Sequence, residues 1–115
     1  MKARIYTDKI GMWRWDIVAS NGCIIADSGE GYTRPSSCRN SIEKFIRFVR
    51  SKEGHFDYYE DSRGEWRWRY IARNHRIVAD SGQGYTRRGS CKRIPYRILD
   101  AALSGRLVIT MAVEE

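Results

Sequence analysis

No apolar run in this 115-residue chain is long enough to cross a bilayer as a helix. The longest, Leu107 to Val113 with Thr110 inside it, falls far short of the ~20 residues a span requires. No membrane segment is read. The first residues, MKARIYTDKIG, lack an apolar h-region, so no secretion signal is read and a cytoplasmic location is expected. Cysteine is scarce, with three residues and no C-x-x-C spacing, which argues against a disulfide framework or a zinc site. Cys38 and Cys91 read as reduced, small core residues. The two histidines, His55 and His75, fall in a linker and a turn, with no cysteine or carboxylate at a recognisable spacing. No catalytic residue, metal ligand or cofactor is expected, and the chain reads as a non-enzymatic protein.

What the chain does have is a repeat. A shift of 53 residues without a gap lays WRWDIVASNGCIIADSGEGYTRPSSC, from Trp13, on WRWRYIARNHRIVADSGQGYTRRGSC, from Trp66, and 17 of the 28 positions from Gly11 to Cys38 are then identical. Tyr6 and Asp8 still fall on Tyr59 and Asp61. The length suits one core, so residues 1–115 are read as a single domain of two repeats, 1–53 and 54–115, the second with an extra C-terminal strand.

Alternation places Trp13, Trp15, Ile17 and Ala19 on one face of a strand, and Trp66, Trp68, Tyr70 and Ala72 on the matching face in the second copy, so the tryptophans read as core. Asn21-Gly22 and Asn74-His75 mark hairpins. After GEGY or GQGY the period changes to that of a helix. Ser36 is the expected cap of the first helix, with Ile42, Phe45, Ile46 and Val49 on its buried face. Pro95 places the start of the second near Ile94 and Gly105 its end. RLVITMAV reads as a last strand, giving the order three strands, helix, three strands, helix, strand.

The stretch YYEDSRGEWRWRYIARNHRIVADSGQGY followed by a helix resembles the YegP-like family of small proteins of unknown function. The resemblance covers essentially the whole chain. It implies an α+β fold of tandem β(3)-α-β type repeats sharing one antiparallel sheet with two helices packed on it, and it implies no reaction. A monomer with pseudo-twofold repeats is the expected state, with a homodimer as the alternative.

Function is therefore argued from charge and loops. The formal net charge is +7, and Arg63 to Arg97 holds ten Lys or Arg against two acids, Glu65 and Asp80. Arg67, Arg69 and Arg73 on a strand, Arg76 at the hairpin, and Arg87, Arg88, Lys92 and Arg93 before the second helix are expected to form one basic surface. Helix one, with Lys44, Arg47 and Arg50, reads as a solvated face. A basic surface suits a polyanion such as nucleic acid, or, as a protein-interaction adaptor or inhibitor, an acidic protein surface. The loops DSGEGYTR and DSGQGYTR offer a third reading. Gly29, Gly31 and Arg34, with Gly82, Gly84 and Arg87, form either strand-to-helix turns or two anion sites for a small phosphorylated ligand.

Overall fold

The computed structural model describes residues 1–111. β1 (Lys2–Thr7), β2 (Trp13–Val18) and β3 (Ile24–Asp27) form a meander, and α1 (Pro35–Ser51) follows. The second copy repeats this as β4 (His55–Glu60), β5 (Trp66–Ile71), β6 (Ile77–Asp80) and α2 (Arg88–Leu103), before β7 (Val108–Met111). The expected element order holds. Residues 112 and 113, the end of the expected last strand, lie outside the described residues.

All seven strands join one sheet in the order β4-β5-β6-β3-β2-β1-β7. The two meanders meet back to back at β3 and β6, where Asp27 opposes Asp80. Every pairing is antiparallel except β1 with β7, which is parallel. The sheet is thus mixed, a correction to the all-antiparallel expectation. Its cause is that β7 arrives after a helix, the connection that parallel pairing requires. Among the described residues nothing equivalent covers β4, which ends the sheet on the other side.

Both helices lie on one face and the alternating residues beneath them form the core. Trp15, Ile17, Trp68 and Tyr70 are buried at 2% exposure or less. Trp15 stacks on Phe45 at 5.5 Å, Phe45 meets Tyr70 edge-on, and Phe56 packs edge-on against Trp68 and Tyr70. These contacts tie the two repeats together through α1. Trp13 and Trp66 pack at the margin, half-buried.

Two helix boundaries differ from expectation. α1 begins at Pro35, a residue suited to the first helical position, so its cap is Arg34 rather than Ser36. α2 begins at Arg88 and carries Pro95 inside it. Pro95 occupies the place of the fully buried Ile42, and Cys91 that of Cys38. Burying Cys91, Ile94 and Ile98 against the sheet offsets the ~3 kcal/mol an interior proline costs. The expected stop holds, with Ser104 as C-cap and Gly105 at a positive φ.

Candidate functional site

The structure divides the expected basic surface among three places. The first is the sheet face opposite the helices, where one register row reads Asp57, Arg69, Asp80, Asp27, Asp16 and Arg4 from β4 to β1. Here the strand arginines are neutralised. Arg69 Nε donates to Asp57 at 2.9 Å and Arg67 Nε to Asp61 at 2.7 Å. In repeat one Arg14 donates to Asp8 at 2.7 Å, and Arg4 makes a two-pronged bond to Asp16 at 2.9 and 2.8 Å. Arg14 beside Asp8, and Arg67 beside Asp61, hold those carboxyls below the usual range. This face does not join the other basic residues into one surface, because the sheet stands between them.

Asp27 and Asp80 sit at the centre of that row. Burial, then the neighbouring Asp80 carboxyl, pushes Asp27 up to about 7. Asp16 flanks Asp27 on the next strand whereas Arg69 flanks Asp80, so the shared proton belongs on Asp27.

The second place is the helix layer. α1, α2 and their caps carry eleven Lys or Arg against two acids, Glu43 and Asp100. Five cations, Arg87, Arg88, Lys92, Arg93 and Arg97, fall between residues 87 and 97 with no acid among them. None of the five makes an ion pair among the described residues. Arg88 lies over the Trp66 ring at 5.4 Å and Lys92 over Tyr58 at 5.5 Å, contacts that fix the cations while leaving their charge uncompensated. Arg97 was outside the expected set, although its place on the exposed face of α2 could have been read from helical spacing. α1 and α2 touch, so their outer surfaces form one basic layer that takes in Lys44, Arg47 and Arg50.

The third place is the β5–β6 hairpin, where Arg73 and Arg76 are exposed. Arg76 faces α1 across a cleft of about 880 Å³ lined by both repeats.

The glycine loops have internal partners. Gly29 N–H donates to Asp27 and Gly82 N–H to Asp80, each at 2.9 Å. Ser28 and Ser81 hydroxyls donate to the carbonyls of Glu30 and Gln83. Tyr32 and Tyr85 bond through their backbones to Trp13 and Trp66. Gly29 and Gly82 adopt positive φ, and a Cβ at Gly29 would stand 2.9 Å from an Asp80 carboxylate oxygen. A Cβ on Gly31 or Gly84 would collide with Met12 or Glu65. The loops therefore need their glycines to fold, and they turn aspartates, not free N–H groups, toward one another. Arg34 and Arg87 stand at the helix caps, exposed.

Cys38 and Cys91 are fully buried, and burial pushes both thiols up to about 11, which keeps them protonated and unreactive. His55 opens β4 instead of lying in the linker. Among the described residues no cluster of three or more His, Cys, Asp or Glu stands ready for a metal, and no helix is long and apolar enough to cross a membrane.

These features define a class, that of tandem-repeat α+β proteins with one mixed sheet backed by two helices. Residues 8–47 and 61–94 match the model of Domain of unknown function (DUF1508), and the chain belongs to that family. UPF0339 proteins of Neisseria meningitidis serogroups B and A are each 47% identical over 38 residues, 33% of this chain and 66% of theirs. The chain thus matches 66% of the length of these relatives, which are comparable in size to one repeat here. Among solved structures, yegP from E. coli, a protein of unknown function, aligns with a TM-score of 0.77 at 20% identity, covering 97% of this chain and 94% of its own. The UPF0339 protein SO3888 of Shewanella oneidensis aligns with the same TM-score at 17% identity, covering 95% and 90%. The YegP-like resemblance read from the sequence holds, and these two likenesses concern the fold.

Proposed function

We propose that the protein is a non-enzymatic binding module whose helix layer, led by the first half of α2, contacts a polyanion, with nucleic acid as the ligand. The observation that carries this reading is the contrast between the sheet's two faces. The strand arginines are spent on aspartates at 2.7–2.9 Å, whereas Arg87, Arg88, Lys92, Arg93 and Arg97 have no acidic partner among the described residues. Unpaired cations can exchange solution counterions for phosphates without first breaking an internal ion pair. Both helices also begin at an arginine with no side-chain cap and no acid in the first turn, which leaves their N-terminal dipoles open to an anion.

The test is a fluorescence titration against labelled single- and double-stranded DNA and RNA at low and physiological salt. Removing Arg88, Lys92 and Arg93 together should lower affinity about a hundredfold and reduce the salt slope by about three. Removing Arg67 and Arg69 should change it little. Equal losses from the two variants, or no binding at physiological salt, overturn the proposal. In the second case an acidic protein surface becomes the partner to seek.

A further inference from the structure

We propose that the cleft between α1 and the β5–β6 hairpin binds a small phosphate monoester of nucleotide size, at one site per chain. This is independent of polyanion binding by α2.

The cleft's volume of about 880 Å³ lies in the range that small-molecule sites occupy. One wall is α1, where Asn40, Ser41, Lys44 and Phe48 share a face. The opposite wall is the hairpin of the other repeat, with Asn74, His75 and Arg76 at its tip and Val78 along β6. The two ends differ in charge. The β3–α1 loop brings Glu30 to one end, beside Asp80, while Arg76 stands at the other. Lys44 and Arg76 make no ion pair among the described residues. Arg76, just before β6, and Asp80, at its end, are four residues apart, roughly 13 Å. A ligand suited to this spacing carries its anion near Lys44 and Arg76 and points hydroxyl or amine donors toward Glu30. The apolar strip of Phe48, Ala72 and Val78 suits a flat body between them.

The wall on the repeat-one side is pre-organised by a directed chain of hydrogen bonds. Trp15 Nε1 donates to Ser41 Oγ at 3.1 Å, Ser41 and Tyr32 hydroxyls meet at 2.8 Å, and Tyr32 meets the Glu30 carboxylate at 2.9 Å. Each group has one donor to give when Ser41 donates to Tyr32 and Tyr32 to Glu30. The second repeat shows that the fold does not require this chain. There Ile94 replaces Ser41, Gln83 replaces Glu30 and Ala101 replaces Phe48, and the buried Trp68 Nε1 is left with no hydrogen-bond partner. On the hairpin side, Cys23 stands where Arg76 does. Polar groups kept in one copy and dispensable to the other belong to the cleft and not to the scaffold.

The experiment is an amide NMR titration of the labelled full chain with adenosine 5′-monophosphate, ribose 5-phosphate and inorganic phosphate as probes. Saturable shifts at Asn40, Lys44, Asn74 and His75, one ligand per chain, are expected. Lys44→Ala and Arg76→Ala should each weaken binding about tenfold, with the amide spectrum elsewhere unchanged, and Arg97→Ala in the twin position should leave it as it was. The variant lacking Arg88, Lys92 and Arg93 should still bind, so failure of the nucleic-acid reading would leave this one standing. Shifts confined to α2, linear shifts that never saturate, or indifference to both cleft variants overturn the proposal. Saturable binding of inorganic phosphate with no gain from the nucleoside would confine the site to an anion alone and overturn its nucleotide size.

Discussion

In repeat one Arg4 on β1 reaches across to Asp16 on β2, while in repeat two the same two positions hold Asp57 on β4 and Arg69 on β5. The register is retained and the sign is reversed. The other strand pair, Arg14 with Asp8, is copied unchanged as Arg67 with Asp61. The comparison teaches that the fold asks for a charge pair at this cross-strand position but not for a particular polarity. Polarity matters to the neighbours, since it sets Asp16 beside Asp27 and Arg69 beside Asp80 at the seam between the repeats.

The surroundings of the two pairs differ as well. The Asp16 side chain is 3% exposed and takes both prongs of Arg4, whereas the Asp57 side chain is 37% exposed with a single bond to Arg69. Loss of Asp16 removes two charge-assisted hydrogen bonds and empties a buried position, while loss of the exposed Asp57 is met by water. Asp16→Ala should therefore destabilise the chain by about 2–3 kcal/mol, and Asp57→Ala by less than about 1 kcal/mol, as read by urea unfolding. Equal costs would mean that the two copies are energetically interchangeable.

The seam supplies a pH test of intermediate size. With its pKa raised to about 7 in the folded chain from ~3.8, Asp27 lets the native state hold a proton the unfolded chain gives up. Stability from this group is then full below pH ~4 and declines as pH rises through about 7. Asp8 and Asp61 act in the opposite sense. Their lowered values give stability above pH ~4 that is lost in acid. A maximum in mildly acid solution follows. Asp27→Asn keeps a neutral hydrogen-bonding group and should abolish the decline between pH 5 and 7.5. At the upper end it should gain about 1–2 kcal/mol, a figure reduced for solvent screening of this partly exposed group. A variant as pH-sensitive as the parent would move the proton elsewhere in the row.

Much of this was legible in the chain, and what was not has a physical cause. Period two and period 3.6, laid over the 53-residue shift, gave every element and placed Trp15 and Trp68 inside. The start of α2 was misread because Pro95 is a local signal, while the burial of Cys91 and Ile94 is tertiary. The strand arginines looked free because charge was summed along the chain. Their acids lie six and twelve residues upstream, Asp57 directly opposite Arg69 and Asp61 in the turn that begins beside Arg67 once the hairpin is drawn in register. The cleft could not be seen at all. Its walls come from different repeats, and only the back-to-back meeting of β3 with β6 brings them together.

The smallest effect tests where the repeats should agree in stability and part in function. Arg34 and Arg87 are both N-caps in extended conformation, and neither side chain makes a cap bond. Serine at either position can accept from the first-turn N–H groups, and it removes a cation from the positive end of the helix dipole. Arg34→Ser and Arg87→Ser should each therefore stabilise the chain by about 0.5–1 kcal/mol, visible as a rise of a few degrees in Tm. Polyanion affinity should respond unequally. Arg87 continues directly into the unbroken cationic run of α2, whereas Arg34 is followed by Pro35, Ser36 and Ser37 and then by an Arg39 paired with Glu43. Arg87→Ser should accordingly lose several-fold in affinity while Arg34→Ser loses little. A matched loss would make the two helix starts equivalent sites and shift the interface from α2 to the whole pseudo-symmetric helix layer.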